Sequence, residues 1–486
     1  MTIRGVLYDD SQPLGSRLSD GVYPDLEAGL DISGGGGGNS VVTLGELFKP
    51  MTGIYPDAAN GPLAADSGIT AGTPTTTGLT LYTPASSPQP FNLQSQYLQS
   101  YANGSYANTS GSTVWINHST PRVWWGPSDR AGRPIESNID FGFVSDSDTV
   151  ILRYFHYTGY TASAYHDNQI YVEHEGALKK ITRLPRTSTA GGGLFYRTLT
   201  FDELVEREFR VQLPMNCWLI GVYIKNQATI RPSPNKPFVM INGDSWNEPA
   251  GDTLQSPAGG AWASGGCYRT FYLPQAIAER TGFACGLMAQ GGTGYFNAND
   301  GVTHPDTYVD ALGNSPFLSS SRITHASTRF FPRNPLIWTI GGWNDGALGG
   351  TPYLDTYRAR VLSGIDRCIA AKSNIQMMFS TIQPAASSGT FYDAFRVQST
   401  LGMIEAGAAR PDNVIGVLNI ESMCKDMSMS GQRGANVGPD TLHLHAKGAD
   451  LVAGWMAAGI AKFELPRDYY QGMLEVDVAN AGAGPT

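Results

Sequence analysis

The chain has 486 residues, of which 15% are charged and 58 are glycine. That length holds two to four domains of about 100–200 residues each, so a sizeable core needs no covalent staples. Lys and Arg number 33 against 42 Asp and Glu, a net charge of -9. This argues against a nucleic-acid partner bound through phosphates, because no surplus of cations exists to release counterions.

Residues 1–10 carry one Arg and two acids with no apolar stretch, so no secretory signal is expected there. No apolar run approaches the roughly 20 residues of a membrane span. Residues 1–110 are expected to be a low-complexity, largely irregular N-terminal arm. Gly34 to Gly38 is a glycine run, and Thr73 to Thr77 and Ser86 to Pro90 are small, polar and Pro-rich. Such composition buries too little apolar surface to offset its ordering entropy. The glycine run is followed by Asn39 and Ser40 with no nearby Lys, so it is read as a flexible segment, not as a phosphate loop. The apolar island from Val41 to Phe48 is expected to order by docking on another part of the molecule. The arm is a candidate attachment segment, for a virion or a homo-oligomer.

Residues 111–232 read as a β-sandwich or jelly roll. Strands are expected at 114–116, 122–125, 139–144, 149–155, 169–173, 195–200 and 218–224. These runs are rich in β-branched and aromatic residues and bounded by Gly, Pro, Ser and Asp. Trp115, Trp124 and Trp125 have two readings, a sugar-stacking platform or ordinary packing; aromatics more often do the latter. Arg231 to Pro237 reads as a stiff linker.

Residues 233–465 alternate between strands and helices. Strands are expected at 238–242, 284–289, 336–340, 375–382 and 414–420. Helices are expected at 274–281, 353–371, 391–409 and 446–463. Continuous apolar strands between helices predict a doubly wound, parallel α/β sheet covered on both faces. Residues 466–486 read as a tail without clear pattern. The 5 Cys are odd in number and lack CxxC spacing, so buried free thiols are expected, not disulfides or zinc.

In such a sheet the ligand site lies beyond the carboxyl ends of the strands. The segments there are Asn242 to Trp246, Gln290 to Tyr295 and Gly341 to Asp345. Gly438 to His443 precedes the last helix. Together they supply a hydroxyl, an imidazole, carboxylates, an amide and backbone N–H groups, the inventory of acyl transfer.

These motifs, in this order, resemble the SGNH (GDSL-type) hydrolase superfamily over about residues 238–463. The resemblance implies a flavodoxin-like domain with Ser245 as nucleophile, His443 as base and Asp440 orienting the imidazole. It also implies an oxyanion hole built from the backbone N–H of Ser245 and Gly292 and the side-chain amide of Asn344. Gly291 and Gly294 remain alternatives for the glycine donor. His445 competes with His443 as base, but it lacks an Asp three residues earlier. A metal on His443, His445 and Asp440 is the less favoured reading. Asp244 and Asp345 are read as loop ties, not catalysts. His304 and His325 are expected to be exposed in polar loops without a role.

A β-module ahead of the hydrolase resembles the jelly-roll plus SGNH arrangement of carbohydrate acetylesterases. The expected activity is therefore hydrolysis of O-acyl esters, chiefly O-acetyl, on a polysaccharide, without a cofactor. The polar stretch from Gly294 to Arg333 suits a glycan. The expected setting is a phage tail or other virion structure, or the cell exterior. Rival readings are a lipid or thioester hydrolase with the same triad, and a non-catalytic adhesion scaffold.

Overall fold

The computed structural model of the protein describes residues 30–31, 41–51, 53–57, 61–83, 86, 88, 90–92, 97–99, 115–117, 139–156, 168–181, 193–213, 217–247, 273–309, 315–348, 354–382, 390–420, 444 and 446–475.

Five parallel strands form the centre of the C-terminal half: Phe238–Gly243, Ala284–Ala289, Leu336–Ile340, Gln376–Ser380 and Val414–Leu418. Numbered along the chain, they lie in the order 2-1-3-4-5. Each reads as an apolar run because both faces are covered. Val239 and Ile241 pack on one face with the helices Leu273–Thr281, Ala446–Ile460 and Arg467–Leu474. Phe238 and Met240 pack on the other with Ser320–Arg329, Leu354–Ala371 and Thr390–Ala408. The doubly wound expectation therefore holds for this half. The strand order reverses between Phe238–Gly243 and Leu336–Ile340, which is where such sheets open a ligand crevice.

The preceding half contains two antiparallel sheets of five strands each. One holds Ala177–Lys180, Gln169–His174, Arg207–Leu213, Ile139–Ser145 and Ile230–Pro232; the other holds Leu63–Thr70, Gly193–Phe201, Thr149–His156, Cys217–Lys225 and Leu79–Tyr82. Their inner faces share one aromatic core in which Phe143 stacks on Phe209 at 4.7 Å. The aromatics of this core act as packing. The Trp115 side chain, Trp124 and Trp125 lie outside the described residues.

The outer face of the first sheet docks on the α/β half, which explains why Gln169–His174 and Arg207–Leu213 are buried on both faces. Arg210 donates to the carbonyls of Gly282 (3.1 Å) and Phe283 (2.9 Å). Tyr171 and Lys180 converge on the Glu279 carboxylate. Lys49 and Met51 donate backbone bonds to Thr281 and Glu279.

Several segments differ from the sequence expectation. The arm, expected to be irregular, contributes ordered elements to both halves. Leu63–Thr70 and Leu79–Tyr82 are edge strands of the sandwich, and Leu30–Asp31 pairs antiparallel with Val414–Leu418. The island behaves as expected: Val41–Thr43 pairs with Glu464–Pro466, and Leu44 and Leu47 enter the α/β core. The Arg231–Pro237 linker is built into the sandwich. Ile230–Pro232 pairs with Ile139–Ser145, and Asn92 donates to Ser233 O at 2.8 Å. The tail begins with a helix, Arg467–Leu474, whose Tyr469 and Met473 lie one turn apart and are buried. Among the described cysteines, Cys368 is a buried free thiol, raised by burial to about 12, and Cys285 is half-buried and forms no disulfide. No helix among the described residues is long and apolar enough to cross a membrane.

Candidate active site

Ser245 lies in a half-buried turn directly after Phe238–Gly243. Its neighbour Asp244 is fully buried and bridges two loops. Oδ1 accepts from the N–H of Trp246 (3.0 Å), and Oδ2 accepts from the N–H of Gly342 (3.0 Å). Gly341 has φ +124, and a Cβ there would sit 2.5 Å from Asp244 Oδ2. Only glycine permits that approach. Asn247 adds a second tie, with Nδ2 donating to Ile340 O at 2.9 Å. The Ser245 turn is thus fastened to the end of the neighbouring strand Leu336–Ile340.

The loop after Ala284–Ala289 is fastened in turn. Gln290 N–H donates to Gly243 O at 3.0 Å. Gly292 sits at φ +76, where a Cβ would fall 1.7 Å from Asn299 Oδ1. Gly294 leaves room for the Asp345 carboxylate, which would lie 2.3 Å from an added Cβ.

Asn344 opens the third loop, in a short helical turn Trp343–Ala347. Its Nδ2 donates to Thr293 O (2.9 Å), and its own carbonyl accepts from Asn297 Nδ2 (3.0 Å). The amide carries two hydrogens. Among the described residues only the Thr293 carbonyl accepts from it, so one hydrogen remains available to a ligand.

Asp345 anchors the same region. Its carboxylate accepts from the N–H groups of Tyr295 (2.7 Å), Phe296 (2.9 Å) and Asn297 (3.0 Å). Burial raises its pKa to about 7 and outweighs the lowering by those three donors. Burial and the Asp345 charge also push the Tyr295 and Tyr357 hydroxyls well above their ordinary range. Asp244 and Asp345 are the loop ties that the sequence led one to expect.

The structure therefore brings together the loops of Ser245, Gly292 and Asn344. Asp440, His443 and His445 lie outside the described residues, so the base, its orienting acid and the rival metal reading all fall there too. Leu444, next to His443, is described and packs against the core cluster that contains Trp246.

His304 corrects an expectation. Its side chain is only 13% exposed, bonds Asp300 at 2.7 Å and stacks on Tyr308 at 3.6 Å. The segment around His325 is a helix, Ser320–Arg329, not a polar loop. That helix also carries a group the sequence did not single out, the fully buried Arg322 behind these loops. Its partners Gln290 and Thr293 were likewise missed. A cation in a Ser- and Thr-rich segment reads as solvated, and only its three-dimensional setting reveals it.

Fold and site together define an α/β protein with a strand-end site at the crossover of a parallel sheet. No family profile matches the sequence, and no curated protein does either. Solved structures do match. The salicylyl-acyltransferase SsfX3, from a tetracycline biosynthetic pathway, is similar over 79% of this chain and 97% of its own, at 12% identity and a TM-score of 0.49. An acetyl xylan esterase (Est2A) from the rumen bacterium Butyrivibrio proteoclasticus matches over 78% of this chain and 96% of its own, at 12% identity and a TM-score of 0.42. A family two carbohydrate esterase from Clostridium thermocellum matches over 67% of this chain and 92% of its own, at 14% identity and a TM-score of 0.40.

Proposed function

We propose that this chain is a serine esterase of the SGNH type. It hydrolyses O-acyl esters, chiefly O-acetyl, on a polysaccharide, on a virion or outside the cell. One observation carries the reading: the Ser245, Gly292 and Asn344 loops are bonded to one another at the point where the strand order reverses.

Ser245 Oγ attacks the ester carbonyl while His443 takes its proton. Asp440 holds the imidazole and stabilises its charged form. The N–H groups of Ser245 and Gly292 and the Asn344 amide receive the developing oxyanion. Collapse expels the sugar hydroxyl, protonated by His443, and leaves acyl-Ser245. Water then gives its proton to His443 and attacks the acyl carbon. The acid departs and Ser245 regains its proton. Both halves of the cycle balance without a metal or redox group. A glycan is favoured over a lipid because the segment beside the site, from Asn297 to Val309, is dominated by polar and small residues.

The test is acetate release from acetylated xylan by the full chain and by Ser245→Ala. The variant is expected to lose at least about a hundredfold of the rate while keeping its unfolding midpoint. Turnover of long-chain esters with no acetate release would select a lipid hydrolase. Failure to react with a fluorophosphonate would select a non-catalytic scaffold.

A further inference from the structure

Arg322 belongs to the helix Ser320–Arg329 and is fully buried. Burying a guanidinium is expensive unless its donors are satisfied. Here both Nη atoms are bonded, from several directions. Nη1 donates to Asn242 Oδ1 (2.8 Å) and Met288 O (2.9 Å), with Gly243 O further off at 3.4 Å. Nη2 donates to Gln290 Oε1 (2.8 Å), Thr293 Oγ1 (2.8 Å) and Ser315 O (2.9 Å).

These acceptors are not one local cluster. Asn242 and Gly243 end the strand that leads into Ser245. Met288 and Gln290 end the strand that leads into Gly292. Thr293 follows Gly292, and its carbonyl is the group that holds Asn344 Nδ2. One side chain therefore reaches the roots of both loops directly and the third through Thr293. Asn242 extends the set to the next strand, with Nδ2 donating to Thr339 Oγ1 at 3.3 Å. No Lys could do this, because a single ammonium has three donors and no fixed plane.

We propose that Arg322 is the positioning residue of the oxyanion pocket. It sets the Gly292 loop against the Ser245 turn and, through Thr293, aims the Asn344 amide. It does not touch the substrate. The inference rests on the acyl-transfer reading above. Small displacements of oxyanion donors weaken transition-state binding more than ground-state binding. Loss of Arg322 should therefore appear in kcat, with KM little changed.

The test uses the full chain with 4-nitrophenyl acetate as substrate. Arg322→Met and Arg322→Lys are each expected to lower kcat about tenfold or more, with KM within about threefold of the parent. Labelling of Ser245 by a fluorophosphonate should slow in parallel. Thr293→Val removes the hydroxyl that Arg322 holds but keeps the carbonyl that holds Asn344. It serves where Arg322 variants fail to fold, and its kcat should fall by at least about threefold. Arg210→Ala, at the junction with the sandwich, controls for general destabilisation and should keep the parent kcat. Folded Arg322→Met with parental kcat overturns the proposal, as does a loss confined to KM. Parental kcat in Thr293→Val, with Arg322→Met unfolded, overturns it equally. A parent that neither turns over the ester nor labels removes the acyl-transfer reading itself. The two failures are thus distinguishable.

Discussion

In the sandwich, buried charge is spread out, and each group joins two neighbouring pieces of backbone. Arg197 grips Asp66 through Nε (3.1 Å) and Nη2 (2.6 Å), fastening one edge strand of its sheet. Arg207 donates to the Tyr55 hydroxyl at 3.1 Å and covers the Phe201 ring at 4.4 Å. Arg210 clamps the junction with the α/β half. In the α/β half, by contrast, Asp244, Asn247, Arg322 and Asp345 converge on one end of one sheet. Polar burial costs free energy in both places. Where it is scattered it holds architecture together. Where it is concentrated it holds loops in a fixed mutual position, and those loops carry the candidate chemistry.

That contrast predicts which substitutions alter rate and which alter only stability. The largest expected effect is at Asn344. Asn344→Ala should lower kcat by about 10²–10³, the usual loss for one oxyanion donor, as read by steady-state ester hydrolysis. A kcat within threefold of the parent would detach Asn344 from the chemistry. Next comes Asp244→Ala, which strands the Trp246 and Gly342 N–H groups inside the protein. It should cost about 2–4 kcal/mol in denaturant unfolding and reduce activity too. In the sandwich junction, Arg210→Ala should cost about 1–3 kcal/mol through the Gly282 and Phe283 carbonyls, while kcat stays unchanged. An equal loss of kcat there would erase the distinction between the halves.

A further effect concerns pH. The folded pKa of Asp345, about 7, lies above its ordinary 3.8. Its favourable contribution is therefore complete below the unfolded value and is lost as pH rises through the folded one. Unfolding midpoints followed from pH 4 to 8 should decline in the parent relative to Asp345→Asn. Parallel curves would remove the buried carboxyl as the cause.

Much of the parallel sheet was legible because strands buried on both faces leave uninterrupted apolar runs such as Leu336–Ile340. Two strands that carry charge were not. Arg207–Leu213 hides its pattern behind two arginines that are buried by hydrogen bonds the sequence does not announce. Leu63–Thr70, with its small and acidic residues, reads as loop because it lies at a sheet edge and only one face is covered. The Gly-Asp-Ser and Gly-Gly-Trp-Asn-Asp turns stood out through their place after strands. The ties of Asp244 and Asp345 followed from their positions in those turns. Arg322 and Thr293 were hidden, because their meaning comes from segments that meet only in the fold. Cooperation among Asn242, Gln290 and Arg322 spans 80 residues of chain between first and last.

The most direct measurement is peptide mass spectrometry after fluorophosphonate treatment of the full chain and of His443→Ala. A serine nucleophile driven by that imidazole predicts a single adduct on the peptide containing Ser245, formed far more slowly in the variant. No adduct on Ser245, or a variant that labels at the parental rate, would contradict the account.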